Sequence, residues 1–341
     1  MKLRYIYILI AIGTSNFLMS QQDPHSSVWF QSRALVNPAA VATEVEDFSF
    51  YTNFRYQYFT MDGQPMRTNS FAGEFRIPDK SDRGNHFGVG LNVYNDQTGD
   101  LKFVTNSISI PINYTLNIDF QNKLSIGICP GFFQQSFDPA AQTWENMWNG
   151  NSFDPTIPNN ENFRNAYSTL DFGTGMFYEF NIRDKSRYYA GINFKHLTAQ
   201  KIDFSFSGNK LYPLLTVHAG ADIVTKKRNM KISPQFVYFK NGPNHSFCIG
   251  TSAETLIDEG SRITTLRKSK SIQYGFFYRY NDAIVSTFGV NISGFKVGLA
   301  FDATVSNLNE SNKSIGAIEL YMKYSFMNKT SNGKKKKKKD K

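Results

Sequence analysis

Residues 294–305, GFKVGLAFDATV, alternate without a slip. Phe295, Val297, Leu299, Phe301, Ala303 and Val305 fall on one side; Gly294, Lys296, Gly298, Ala300, Asp302 and Thr304 fall on the other. Side chains of an extended chain point to opposite faces with period two, so this stretch predicts a strand with one apolar and one polar face. Residues 103–114 keep the same period, with Val104, Ile108, Ile110, Ile112 and Tyr114 against Thr105, Ser107, Ser109 and Asn113. Residues 316–326 repeat it, with Ile318, Leu320, Met322, Tyr324 and Phe326 against Glu319, Lys323 and Ser325. In all three, the charged residues share the polar face.

Such segments recur at 47–58, 66–77, 86–95, 103–116, 123–137, 167–180, 188–197, 214–224, 230–240, 245–254, 271–280, 283–291, 294–305 and 315–326, which makes fourteen strands. Most have ten or more residues. A soluble strand has ~5–6 residues, whereas a tilted membrane-crossing strand needs ~9–11. A soluble β-sandwich would also alternate, but its polar face would meet bulk water and could be richly charged. Here that face is mostly Gly, Ser, Thr and Asn. The expected fold is therefore all-β: a transmembrane antiparallel barrel of about fourteen strands with lipid on the apolar face.

Composition agrees. Phe (31) and Tyr (18) dominate an aromatic share of 15%, while charged residues make up only 19%. Aromatics crowd strand ends, as in YTNFRYQYF and FFYRY, where a girdle would meet the membrane interfaces. The first residues, with Lys2 and Arg4 ahead of an apolar stretch from Tyr5 to Ile12, read as a signal peptide cleaved near Ser20. The divisions expected are a signal peptide at 1–20, an N-terminal plug or periplasmic segment at 21–46, the barrel at 47–326 and a basic disordered tail at 327–341. The expected location is the outer membrane. Cys129 and Cys248 both fall on small, polar faces and are expected to be unpaired.

Parity places the odd-to-even connections outside, among them 59–65, 138–166 and 198–213; even-to-odd turns face the periplasm. The turn at 255–270 is longer than such a turn should be. Basic residues gather on the periplasmic side: Arg183, Lys185, Arg187, Lys226, Lys227 and Arg228, then the run Lys334, Lys335, Lys336, Lys337, Lys338 and Lys339 in a chain of net charge +10. A lysine run cannot fold on itself. It suits either anionic headgroups or an acidic periplasmic partner; nucleic acid is not expected of an exported barrel.

Residues 21–47 are not a strand, because Pro24 and Pro38 interrupt them. A short apolar helical patch could hold Val28, Phe30, Leu35 and Val36. A barrel of this size leaves a channel unless something fills it, and a segment preceding strand one is well placed to do so. The pieces DPHSSVWFQSRALVNPAA, NFRYQY, FGVGLNVYNDQTGD, LSIGICPGFFQQSFD, YAGINFKHL, ISPQFVYFKNGPN, QYGFFYRYNDAIVSTFGVNI and KVGLAFDATVSNL, in this order and spacing, resemble the PorP/SprF outer-membrane proteins of the type IX secretion and gliding machinery of Bacteroidetes. NPAAVA alone also resembles the start of FadL-like barrels.

The resemblance implies a non-enzymatic role: anchoring or escorting secreted proteins that carry a C-terminal sorting domain, and contacting periplasmic lipoproteins of the machine. The plug residues would then be Asp23, Pro24, Trp29, Phe30, Leu35, Asn37 and Pro38. The secreted client would meet the external loops, with Trp144, Trp148 and Phe153. The basic turns and the lysine tail would face the periplasmic partners.

No cofactor is expected. There is no GxSxG, HExxH, P-loop or paired CxxC. His25, His86, His196, His218 and His245 are scattered, and lone lumen histidines are the commoner reading, although His218 beside Thr216 could imitate a catalytic pair. Asp96 and Asp100 could hold Ca²⁺, yet NDQTGD is also ordinary turn chemistry. Two other roles stay open: a FadL-like transporter of a hydrophobic or small solute, which needs a path or lateral gap, and an outer-membrane hydrolase, which needs His within reach of Ser or Asp.

Overall fold

The structure, a computed structural model, describes residues 25–44, 47–79, 84–138, 143–154, 156–158, 166–182, 186–198, 201–202, 209–225, 229–258 and 269–326. Fourteen strands form the wall: β1 (Phe48–Gln57), β2 (Met66–Pro78), β3 (His86–Thr98), β4 (Phe103–Ser109, continuing as Ile112–Asn117), β5 (Asn122–Ser136), β6 (Ala166–Asn181), β7 (Arg187–Lys195), β8 (Leu214–Thr225), β9 (Met230–Asn241), β10 (Asn244–Asp258), β11 (Lys270–Arg279), β12 (Ala283–Ile292), β13 (Phe295–Thr304) and β14 (Ile315–Phe326). Each pairs antiparallel with its sequence neighbours. β1 then closes on β14, with Phe48 opposite Phe326 and Gln57 opposite Ala317. Closure means that neither the first nor the last strand is left as a free edge, which suits hydrocarbon because it offers backbone groups no alternative partner.

The observed strands depart from the sequence reading in three places. The strand at 103–116 is interrupted in its ladder at Ile110–Pro111, because proline has no N–H to give. Register is the same on both sides, and the Gly90 amide still donates to the Pro111 carbonyl at 2.8 Å. β10 runs to Asp258 rather than 254, with a bulge between Leu256 and Asp258. Four residues of the long turn, 255–258, are thus strand, and 259–268 lie outside the described residues. The loop after β7 carries a small hairpin, Lys201–Ile202 paired with Asn209–Lys210, that alternation did not reveal.

The two faces have opposite chemistry. On β13, Phe295, Leu299 and Phe301 are 47%, 54% and 41% exposed, while Ala300 and Asp302 are buried. On β14, Ile318, Tyr324 and Phe326 point out, and Glu319 and Lys323 point in. Cys129 and Cys248 face the lumen, buried and unpaired. The barrel has a loop end, where 58–65, 137–165, 196–213 and 305–314 connect strands, and a turn end with connections such as 118–121 and 293–294.

Residues 25–44 run through the lumen from the loop end to the turn end. They form three short turns: 3-10 at Trp29–Gln31, α at Arg33–Val36 and 3-10 at Pro38–Ala40. Val28, Trp29, Phe30 and Val36 are buried, and Phe30 stacks on Phe277 of β11 at 4.7 Å.

The loop-end start of this segment is held by ions. The Ser27 amide donates to Glu319 Oε1 at 2.8 Å, and its hydroxyl donates to Asp302 Oδ2 at 2.8 Å. Arg279 Nη1 donates to the same hydroxyl at 2.9 Å and Nη2 to Asp302 at 2.9 Å. Arg55 bridges Asp302 at 3.0 Å and Glu319. Arg279 also bonds Asp282 at the edge of the cluster, so the two arginines have three carboxylate partners, and this pairing is what makes the buried charge tolerable.

Two outcomes follow. Leu299→Arg, which places a cation against hydrocarbon, should destabilise the barrel by ~2–4 kcal/mol in urea unfolding from lipid bilayers; an unchanged midpoint would mean that this face does not meet lipid. Glu319→Ala leaves Arg55 with Asp302 as its remaining carboxylate and the Ser27 amide without its acceptor, and should cost about 1–3 kcal/mol in the same assay, with Glu319→Gln losing less.

Candidate functional site

The segment at 25–44 has little internal hydrogen bonding, so its carbonyls need partners from the wall. Lumen-facing amides supply them. Asn92 Nδ2 donates to Ala34 O at 2.8 Å, Asn193 Nδ2 to Val36 O at 2.9 Å, and Asn113 Nδ2 to both Ala39 O and Val41 O at 2.7 Å. Lys195 Nζ reaches Leu35 O at 2.8 Å. The sparse Asn and Lys of the polar faces therefore do specific work on one strip of backbone.

Asn37, a sequence-predicted plug residue, is fully buried. Its Oδ1 accepts from the Ala39 amide at 2.9 Å and caps the turn that begins at Pro38. Its Nδ2 lies 3.1 Å from Met176 O and 3.1 Å from His218 Nε2. The wall has to come very close for this. A Cβ at Gly175 would sit 2.1 Å from Asn37 Oδ1, and one at Gly191 would sit 2.4 Å from His218 Nε2. Only glycine fits either position. Of the other predicted plug residues, Trp29 and Phe30 are buried, Leu35 is partly buried against the same core, and Pro38 is buried in the last turn; Asp23 and Pro24 lie outside the described residues.

At the turn end the segment meets a second charged cluster. Glu44 accepts from Lys323 Nζ at 2.6 Å and lies 3.3 Å from Arg33 Nη1. Arg33 also stacks over the Tyr189 ring at 4.1 Å and lies 3.7 Å from Asp222. Burial by itself would raise the Glu44 pKa, but Lys323, Arg33 and Arg187 outweigh it and hold the carboxyl well below the usual carboxylate range. The Ala42 carbonyl lies 3.1 Å from His86 Nε2, and His86 Nδ1 lies 3.1 Å from Arg76. Because Arg76 can only donate, His86 takes the tautomer with hydrogen on Nε2.

Arg187, read from sequence as a periplasmic contact, turns into the lumen: Nη2 donates to Asp222 at 2.7 Å and Nη1 to Glu179 at 3.4 Å. Its neighbours Arg183 and Lys185, with Lys226, Lys227, Arg228 and the run Lys334–Lys339, lie outside the described residues. At the loop end, Trp148 and Phe153 form an isolated bridge with their rings 5.1 Å apart in edge-to-face contact. They are 50% and 47% exposed. Trp144 precedes the short turn Glu145–Met147 just before them, and its backbone carbonyl accepts from the Met147 amide at 2.9 Å.

The candidate chemistry is placed as follows. His218 sits between Asn37 and the Phe177 ring, which stacks on it at 5.7 Å. His196 Nδ1 lies 3.0 Å from Asp171, and Phe133 covers its ring at 5.3 Å. Asp96 accepts from Thr68 and Thr98, whereas Asp100 accepts from the Gln64 amide, so the two carboxylates serve different partners. Among the described residues, no group of three or more His, Cys, Asp or Glu could hold a metal ion. The sequence missed the clamp of Arg55, Arg279, Asp302, Glu319 and Ser27. Each lumen-facing charge was visible by parity, but not their convergence from four strands.

The fold has counterparts among solved structures. The Pseudomonas putida toluene transporter TodX aligns with a TM-score of 0.50 at 10% identity, over 86% of this chain and 93% of that chain. A Pseudomonas aeruginosa FadL homologue aligns with a TM-score of 0.48 at 12% identity, over 86% and 93%. At 10% identity the likeness to TodX is one of fold alone. No curated protein sequence matches the chain. The family model described as "Type IX secretion system membrane protein PorP/SprF" matches residues 18–324. With nearly the whole barrel and its lumen segment inside that match, the chain belongs to the PorP/SprF family of type IX secretion system membrane proteins.

Proposed function

We propose that this barrel is a non-enzymatic, outer-membrane component of the type IX secretion and gliding machinery, which anchors or escorts secreted surface proteins and contacts periplasmic lipoprotein partners. One observation supports it beyond the family: residues 25–44 occupy the lumen from end to end, held by ion clusters at both ends, inside a wall whose strands close on themselves. The surfaces left for other proteins are the two rims.

In this reading the loop end faces the cell exterior. Paired aromatics at a rim are the kind of side chains that concentrate binding energy, and Trp148 and Phe153 are joined by their own bridge. They are the proposed contact for the secreted client. The turn end faces the periplasm, where the basic turns and the lysine tail meet acidic faces of periplasmic lipoproteins. A transporter reading has less support, because Gly90–Pro111 and Ile110–Pro130 hydrogen bonds seal the one strand broken by proline.

Co-purification from native outer membranes tests the assignment. Trp148→Ser with Phe153→Ser should weaken capture of the client by roughly tenfold or more, and deletion of 334–341 should lower recovery of periplasmic partners. Full retention of both sets by the respective variants would remove these rims from the account. The turn-end cluster also sets a pH dependence. Glu44 has a folded pKa below its unfolded one, so its stabilisation is complete above about pH 4.3 and is lost as pH falls through the depressed value. Hydrogen exchange of residues 33–44 should accelerate below that pH, and Glu44→Gln should show the fast exchange already at neutral pH.

A further inference from the structure

Between the N-terminal segment and the loop end lies a cavity of about 140 Å³ that neither ion cluster occupies. An apolar cavity of ~150 Å³ takes one benzene ring, so the space is that of a single six-membered ring. The barrel's inner face walls it, so an inward-facing side chain that stays partly exposed keeps that surface open to the lumen. Leu35 of the segment, Phe239 of β9 and Lys195 of β7 are three such side chains. Leu35 and Phe239 pack on the cluster that holds Trp29, which gives the open surface a firm apolar backing.

The charge in the lining narrows the occupant. Lys195 Nζ donates to the Leu35 carbonyl at 2.8 Å. An ammonium carries three donors, and a carbonyl takes one of them without cancelling the charge. Among the described residues, no carboxylate forms an ion pair with Lys195. Other lumen cations differ: Arg55, Arg187, Arg279 and Lys323 each lie against a carboxylate. The acid in the lining, Asp171, is engaged elsewhere. Its Oδ1 accepts from the Phe172 amide at 2.8 Å, and its Oδ2 lies 3.0 Å from His196 Nδ1. The bordering histidines, His25, His196 and His245, carry either no charge or a positive one, so none opposes an anion. A charge held away from bulk water needs a counter-charge, and an anion is what this cavity lacks.

We propose that this cavity is a binding site for a small apolar monoanion: a carboxylate carried on a single six-membered ring. The carboxylate lies against Lys195 Nζ and takes its remaining donors, and the ring lies between Leu35 and Phe239. The ligand comes in from the loop end, where residues 244–246 of β10 form part of the rim of the cavity. This site goes beyond the secretion role and needs no other protein.

The test is a saturation-transfer NMR titration of the full chain, purified from outer membranes into lipid nanodiscs, with empty nanodiscs as the blank. Benzoate and cyclohexanecarboxylate are the probes. Benzamide, a neutral match in size, and benzylamine, a cation, are the comparisons. At least one carboxylate should bind saturably, roughly tenfold or more tighter than benzamide, with benzylamine weaker still. This comparison uses the unaltered chain and needs no variant. Lys195→Met should bring the carboxylate down to the level of benzamide, and Lys195→Arg should keep it within a few-fold, both with an unchanged heat-modifiable gel shift. Equal binding of benzamide, or a preference for benzylamine, would overturn the charge assignment. Carboxylate binding indifferent to Lys195→Met would overturn the site. Absence of binding by both carboxylates would overturn the proposal outright. Client and lipoprotein capture are separate measurements, so each of these results leaves the secretion role unaffected.

Discussion

Closure of β1 on β14 is the contact on which everything else rests. Ten residues of β1 lie in register with ten of β14, from Phe48 opposite Phe326 to Gln57 opposite Ala317. Without that seam the sheet would present two rows of unpaired backbone groups to hydrocarbon, at several kcal/mol per group. With it, the cylinder has two separate solvents: lipid outside, and a lumen that must be satisfied from within. The seam also brings Arg55 directly opposite Glu319, so the loop-end clamp is built on the closing pair of strands itself.

The lumen solves its problem with a strip of its own chain. A segment of three short turns cannot satisfy its own backbone, and a wall of Gly, Ser, Thr and Asn cannot form an apolar core. Each supplies what the other lacks. Asn92, Asn113 and Asn193 give their amides to the segment's carbonyls, and Gly175 and Gly191 withdraw so that Asn37 can approach. Val28, Phe30 and Val36 then contribute the apolar contact that the wall has mostly turned outward. Asn92, Asn113 and Asn193 each give the N–H side of the amide to particular carbonyls of the segment, so the wall and the segment are matched group by group.

Charge is arranged in two layers along the same axis. Near the loop end, two arginines and two carboxylates grip Ser27. Near the turn end, Glu44 is gripped by Lys323 and Arg33. Arg187 belongs to this second layer, with Asp222 and Glu179 as its partners. The family's membership in a secretion system fits a barrel whose interior is committed to its own chain and whose rims carry the accessible groups.

Alternation by itself determined the barrel. Period two over ten or more residues fixes which side chain meets which face, and strand length fixes that the apolar face meets lipid; Leu299, Phe301 and Ile318 were readable as outward, and Asp302 and Glu319 as inward, from parity alone. Parity says nothing of height around a closed cylinder. That Arg55, Arg279, Asp302 and Glu319 converge on one serine depends on the tilt and stagger of four strands, and only the tertiary structure decided it. Alternation runs straight through Pro111 as one strand; the ladder is interrupted there, yet register is kept, with Gly90 donating to the Pro111 carbonyl and Ile110 to the Pro130 carbonyl. The plug residues were legible as an apolar, proline-interrupted patch. Which carbonyl each lumen amide serves was not, because those pairs lie from 58 to 157 residues apart in sequence and meet only once the cylinder has closed around the segment.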